Sequence, residues 1–231
     1  MLAPRPIRSA LVIAPHADDE AIGAGGLIAR LTAAGVPVTV LFAVVDGFHH
    51  HGLEQPSTLE QRQQEIAAAA AILSFEYEVA YLGRDLIEKL DTVPQRELVD
   101  LFEAKLDQVR PDLLLLPHGV DYDQDHRACF QAAFAAARPI PETLGKFFPR
   151  RVLTYESPKL GWSEQPFQPS MYWEISDQLE TKCRAIAAYQ TQLRSAPHIR
   201  SLDSIRDLAR MRGREAGVVS AEAFSLLRWV D

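Results

Sequence analysis

The chain has 231 residues, 24 of them Lys or Arg and 31 Asp or Glu, giving a formal net charge of −7. That is the wrong sign for a protein whose main partner is a nucleic-acid phosphate backbone. With 47% hydrophobic and 24% charged residues the composition is globular, which excludes disordered and fibrous classes and leaves apolar mass for one sizeable core.

In chain order, the apolar run Ala10–Ala14 reads as a buried strand. It is too short for a signal-peptide core or a membrane span, so a cytoplasmic protein is expected. Glu20–Ala34 carries Ile22, Leu27, Ile28 and Leu31 near helical spacing, with Gly35 placed to end the helix. Val36–Val45 is a second buried strand. Ser57 is expected to cap a helix running to Leu73, with Glu60 at the reciprocal capping-box position, and a short strand follows at Glu78–Leu82. A helix over Pro94–Val109 leads into the buried strand Asp112–Pro117, then a helix over Asp125–Ala137. Six of the 15 prolines fall between Pro139 and Pro169, so irregular structure is expected there around a strand at Val152–Glu156. Helical periodicity resumes over Asp177–Leu193 and Leu202–Ala216, and the apolar end Ala221–Val230 is expected to dock on the core. No polar linker divides the chain. Residues 1–231 therefore read as one α/β domain, a Rossmann-like three-layer sandwich with a mostly parallel sheet and its site at the C-terminal strand edge. Cys129 and Cys183 read as free thiols.

Ligands of an open parallel sheet sit beyond the carboxyl ends of its strands. The first strand ends in Pro15-His16-Ala17-Asp18-Asp19-Glu20, the second in Asp46-Gly47, and the Asp112–Pro117 strand in His118, with Asp121, Asp123, Asp125 and His126 just after it. His16, Asp19 and His126 together have the ligand chemistry of a catalytic zinc site, in which three N/O ligands leave one position open. Asp18 should point away from its neighbour Asp19, which places it to act as a base beside such a metal, and Asp125 is placed to orient His126. The blander reading is that the acids at 18–20 and at 123 and 125 only cap helices and complement their dipoles. It does not explain His126.

PHADDE at 15–20, followed by Gly23, Gly25 and Gly26, and QDHRA at 124–128 resemble the two signature motifs of the PIG-L (LmbE-like) family of zinc-dependent de-N-acetylases, with Ala17 where proline is usual. Further matches run along the chain at Arg62, Glu65, Lys182, Tyr189, Gln192, His198–Ser201, Arg212-Gly213 and Ala221–Phe224. The resemblance implies Zn²⁺ held by His16, Asp19 and His126, Asp18 as general base, and Asp125 in support of the catalytic or ligand geometry. Arg62, Asp46, His118 and Asp123 are the expected substrate contacts. The implied partner is a small N-acetylated amino sugar or its conjugate, with homo-oligomerisation left open. One departure stands out: the family commonly has histidine three residues before the second ligand His, to stabilise the oxyanion, and this sequence has Asp123. Either His118 or an arginine takes that role, or the activity is reduced or altered. The alternative function is a metal-containing sugar-binding protein with little or no turnover, and a two-metal phosphoesterase is a third reading.

Weaker signals have ordinary explanations. His49–His51 reads as a mobile loop near the cleft, and Cys129 as a small core residue. Gly23-Ala24-Gly25-Gly26 lacks the third glycine of a dinucleotide fingerprint, where Ile28 stands, and so reads as close packing of the first helix. Trp162 and Trp173 are either sugar-stacking or buried. The basic region Arg194, His198, Arg200, Arg206, Arg210, Arg212 and Arg214 is either a helix face paired with acids or a phosphate-recognising surface.

Overall fold

Runs such as ALVIA and LLLL, apolar on both faces, are buried only inside a sheet covered on both sides. The computed structural model, which describes residues 5–49, 55–163 and 165–231, places them in such a sheet. Strands β1 (Ala10–Ala14), β2 (Val38–Val45), β3 (Glu76–Leu82), β4 (Leu113–Leu116), β5 (Arg151–Tyr155), β6 (Met171–Glu174) and β7 (Ala221–Trp229) line up in the order β3-β2-β1-β4-β5-β7-β6. The first five are parallel, and β7 runs antiparallel to both of its neighbours. The helices are α1 (Asp19–Ala33), α2 (Leu59–Leu73), α3 (Gln95–Val109), α4 (Gln124–Ala136), α5 (Leu179–Ala188) and α6 (Leu202–Ala216).

Alternation along β1 builds the two cores. Ala10, Val12 and Ala14 pack with Leu27, Ile66 and Ile186 from α1, α2 and α5. Leu11 and Ile13 face the other way, toward Leu98, Phe102, Cys129 and Ala133 from α3 and α4. The result is the expected three-layer α/β sandwich. From β1 the chain winds outward to β2 and β3, then crosses back to β4 on the other side of β1. The loops after β1 and β4 therefore diverge and leave a crevice between them, with one sequence motif on each wall.

Element boundaries moved where local chemistry overrides pattern. Thr58, not Ser57, caps α2: its hydroxyl accepts from Gln61 N at 3.1 Å while Gln61 Oε1 accepts from Thr58 N at 2.8 Å, so Gln61 takes the position expected for Glu60. The Ser57 hydroxyl instead donates to the Phe48 carbonyl at 3.1 Å. β2 starts at Val38 because Pro37 has no N–H for the ladder. β3 starts two residues before the expected Glu78. α5 stops at Ala188, where Tyr189 leaves helical geometry and donates its hydroxyl to Glu20 Oε1 at 2.6 Å. The C-terminal segment expected only to dock is the strand β7, and β6 has no counterpart in the sequence reading, being only 4 residues long. Cys129 and Cys183 are buried and free. No described helix is long and apolar enough to cross a membrane.

The glycines of α1 do bring that helix close to its surroundings. A Cβ on Gly26 would lie 2.6 Å from Ile175 Cγ2, and one on Gly23 would overlap the Tyr155 ring. Overpacking of this kind typically costs about 1–3 kcal/mol. Gly26→Ala is therefore expected to lower the melting midpoint by roughly 2–12 °C in a protein of this size. An unchanged midpoint in a thermal melt would show that α1 has slack against Ile175 and the segment that follows β6.

Candidate active site

Three elements deliver the His and Asp cluster. His16 lies in the turn after β1, Asp19 opens α1, and His126 sits in the first turn of α4, beyond β4. His16 Nδ1 is 3.4 Å and His126 Nε2 3.2 Å from the same oxygen, Asp19 Oδ2. The edge of a tetrahedron with metal–ligand bonds of about 2.0–2.1 Å is about 3.3–3.4 Å, so this spacing suits a tetrahedral cation. His126 is 1% exposed, and neither ring nitrogen makes a hydrogen bond of good geometry. A buried imidazole nitrogen is costly without a partner, and a cation shared with His16 and Asp19 would supply one. The donor set fits a metal of the zinc type.

Carboxylates stand behind both imidazoles. Asp125 Oδ2 is 2.8 Å from His16 Nε2, and Asp121 Oδ2 is 3.0 Å from His126 Nδ1. Asp125 also accepts backbone N–H groups from Glu88 at 2.7 Å and Leu90 at 2.8 Å. This single buried side chain thus fixes the orientation of His16, not of the expected His126, whose Nδ1 faces Asp121, and it ties down the loop between β3 and α3.

Asp18 occupies the N-cap position of α1 yet makes no capping hydrogen bond, so the dipole-and-cap reading does not account for its side chain. Its backbone sits at φ 129°, a conformation rare outside glycine and usually held only where the surroundings enforce it. Arg62 is part of that enforcement. It is buried, donating to the Ala17 carbonyl and to Glu65 Oε2, each at 2.5 Å, and to Thr191 Oγ1 at 2.9 Å. The Asp18 carboxylate lines a cleft together with His16, Asp46, Glu88, Asp123, Lys159 and Arg200, and Arg200 Nη1 is 3.6 Å from Asp18 Oδ2.

The adjacent carboxyls at 18 and 19 are driven apart in acidity. Burial and the charge of Asp19 push the Asp18 carboxyl up, against Arg200, Lys159 and Arg62. For Asp19, burial acts in the same upward sense but is outweighed by His126 and His16, which hold it well below the usual carboxylate range. Divergent neighbours of this kind suit one permanently ionised ligand beside one proton acceptor. Asp123 is brought down to about 2, burial being overcome by His16, His126 and Lys159. Burial also opposes charge on Lys159, but Asp19, Asp123 and Asp18 outweigh it and keep the ammonium charged.

The remaining expected site residues divide. Asp46 lines the cleft while accepting from Gly47 N and Asp85 N at 2.7 and 2.8 Å. Asp123 caps α4, with Oδ1 accepting from Asp125 N at 3.0 Å, and turns Oδ2 toward Lys159 Nζ at 3.4 Å. His118 does not line the cleft. Its Nδ1 is 2.8 Å from Thr154 Oγ1 and its ring meets Phe167 edge-on at 4.9 Å. His50 and His51 lie outside the described residues. Most of the C-terminal arginines pair with acids, as Arg206 does with Glu180 and Arg212 with Glu156 and Glu215, while Arg200 alone of that group lines the cleft. Trp162 is 81% exposed, and Arg30 covers the Trp173 ring. Lys159 and Glu88 also line the cleft; neither belongs to a sequence motif, and they reach it from the 3-10 turn Pro158–Trp162 and from the loop after β3. A larger cavity of about 580 Å³ opens at the amino ends of the strands, lined by Arg5, Arg8, Arg110, Arg150, Arg151 and Asp112 among others. It holds no metal-ligand set or nucleophile, so the chemistry belongs to the smaller cleft.

Comparison with known proteins points the same way. The family model described as PIG-L, GlcNAc-PI de-N-acetylase, matches residues 11–137, which include both metal-ligand motifs. The chain is 26% identical over 179 residues to the uncharacterized deacetylase YaiS of Escherichia coli K12, covering 74% of this chain and 84% of that protein. It is 32% identical over 136 residues to the probable N-acetyl-alpha-D-glucosaminyl L-malate deacetylase 2 of Bacillus subtilis 168, covering 54% of this chain and 59% of that one. Among solved structures, the 4-carboxy-2-hydroxymuconate hydratase GalB of Pseudomonas putida KT2440 aligns with a TM-score of 0.76 at 21% identity, over 97% of this chain and 98% of that one. At that identity the likeness is one of fold.

Proposed function

The chain belongs to the PIG-L family of de-N-acetylases, and from that premise we propose that it hydrolyses the acetamide of an N-acetylated amino sugar or sugar conjugate, with Zn²⁺ held by His16, Asp19 and His126. The observation that carries this reading is the convergence of both imidazoles on Asp19 Oδ2 at tetrahedral edge lengths, with the separate carboxylate of Asp18 in the same cleft. When bound, the ion would act as a Lewis acid toward the acetyl carbonyl. Asp18 takes a proton from the attacking water and returns it to the departing nitrogen, so that acetate and a free amine leave. Asp125 keeps the His16 imidazole oriented, and Asp121 stands behind that of His126. Asp46, Asp123 and Arg200 line the approach of the sugar and its substituent.

The test is acetate release by zinc-reconstituted protein from N-acetylglucosamine, N-acetylglucosaminyl malate, a nucleotide-linked N-acetylglucosamine and N-acetylglucosaminyl phosphatidylinositol. At least one is expected to give acetate and amine in equal amounts, with the activity lost on chelation and regained with zinc. Binding of these compounds without acetate release from any of them would favour a metal-containing sugar-binding protein instead.

A further inference from the structure

We propose that Lys159 is the catalytic donor that stabilises the oxyanion formed as the acetyl carbonyl is attacked, and that Asp123 positions it; the assignment rests on the deacetylase reading. Attack by water forms a C–O bond and moves an electron pair onto the carbonyl oxygen. When that pair returns, the C–N bond breaks and the amine leaves with the proton carried by Asp18. A preorganised donor aimed at that oxygen is worth about 10²–10³ in kcat, and a cleft floored by so many carboxylates needs one.

The cations of the cleft are not equivalent. Arg62 is committed to the Ala17 carbonyl, Glu65 and Thr191. Arg200 donates to Gln192 Oε1 at 3.0 Å and stands beside the base Asp18. His118 is turned toward Thr154 and away from the lining. Lys159 lines the cleft with its ammonium held against Asp123. Its side chain is 8% exposed, and Nζ lies 3.4 Å from Asp123 Oδ2, itself 3.9 Å from the ligand nitrogen His126 Nε2. An ammonium carries three N–H donors, so the contact with Asp123 leaves others for substrate. The segment that carries it, the short 3-10 turn Pro158–Trp162 after β5, is anchored through Glu156 to Arg212 at 2.5 Å. Asp123 alone would repel a nearby oxyanion, whereas the Asp123–Lys159 pair is neutral overall. Beyond the carboxylates already around it, its ammonium gains a new anionic hydrogen-bond partner only as the reaction proceeds, which is the differential interaction that raises kcat. The proton stays on Nζ throughout.

The experiment compares zinc-loaded wild type, Lys159→Met, Lys159→Arg and the double variant Lys159→Met/Asp123→Asn, with metal content and melting midpoint measured for each. Lys159→Met is expected to keep its zinc and lose about 10²–10³-fold in kcat, with KM within about threefold of wild type, and Lys159→Arg to regain part of the loss. The double variant removes the stranded carboxylate and is expected to show the same kcat deficit if Lys159→Met alone folds poorly. An unchanged kcat, or a loss confined to KM, overturns the assignment. Methylphosphonate, a tetrahedral anion, supplies a readout independent of turnover: it is expected to bind wild type at least about tenfold more tightly than Lys159→Met, a difference of about 1.4 kcal/mol. Equal binding also overturns the assignment. Should wild type release acetate from no substrate, the deacetylase reading fails, and methylphosphonate still decides whether Lys159 is an anion donor.

Discussion

Asp18→Asn is expected to lower kcat by about 10²–10⁴-fold while the metal stays bound. The substitution is isosteric, and asparagine is among the side chains most tolerant of positive φ, so the turn at φ 129° can persist. What disappears is proton acceptance. Burial and Asp19 raise the Asp18 carboxyl, which makes it a better base than an exposed aspartate, and none of this character survives in an amide. The His16, Asp19 and His126 donor atoms are untouched, so zinc stoichiometry should equal that of wild type. Acetate release and metal content measured on the same preparation separate the two effects. Full activity in the metal-loaded variant would move the base elsewhere, with Asp123 the next carboxylate in the cleft.

Much of this site could be read from the sequence because its parts are local. His16, Asp18 and Asp19 lie within one turn after an unmistakable buried strand, and Asp123, Asp125 and His126 within one turn after another. The rule that places ligands beyond strand ends then suffices to bring them together. Asp125 behind His16 was legible only in kind: its choice of imidazole depends on how α4 sits over the β1 turn, which no periodicity encodes. Lys159 was invisible because it lies in the proline-rich stretch, where neither a 2.0 nor a 3.6 residue period operates, and its role comes from a partner 36 residues away. His118 shows a different limit. Its position at the end of β4 is right, but Thr154 on the neighbouring β5 captures its ring, and cross-strand competition of this kind appears only once strand order is known. The antiparallel β7 and the four-residue β6 have the same cause, since pairing partners distant in sequence, not local propensity, decide that those segments are extended.

Asp19→Ala is expected to abolish metal binding under conditions where Asp125→Asn only weakens it, because the two carboxylates stand in different places around the same imidazole. Asp19 Oδ2 is the shared vertex between His16 and His126, and the same atom accepts His16 N at 2.9 Å, so its removal deletes a ligand and loosens the turn that carries another. Asp125 meets His16 at its far nitrogen, Nε2, besides accepting the Glu88 and Leu90 N–H groups, and loss of such an outer partner typically weakens metal affinity 10–100-fold. The wild-type protein should also melt higher with zinc than without. Binding to the folded state alone stabilises by about 4 kcal/mol when free metal is 1,000 times its dissociation constant. For a chain of this length that corresponds to a rise on the order of 10 °C. Asp125→Asn should show a smaller rise at the same zinc concentration, and Asp19→Ala none. Thermal melts in chelator and in excess zinc, paired with competition against a fluorescent chelator, give all three values. If wild type melts at one temperature in both, the cluster of His16, Asp19 and His126 holds no metal.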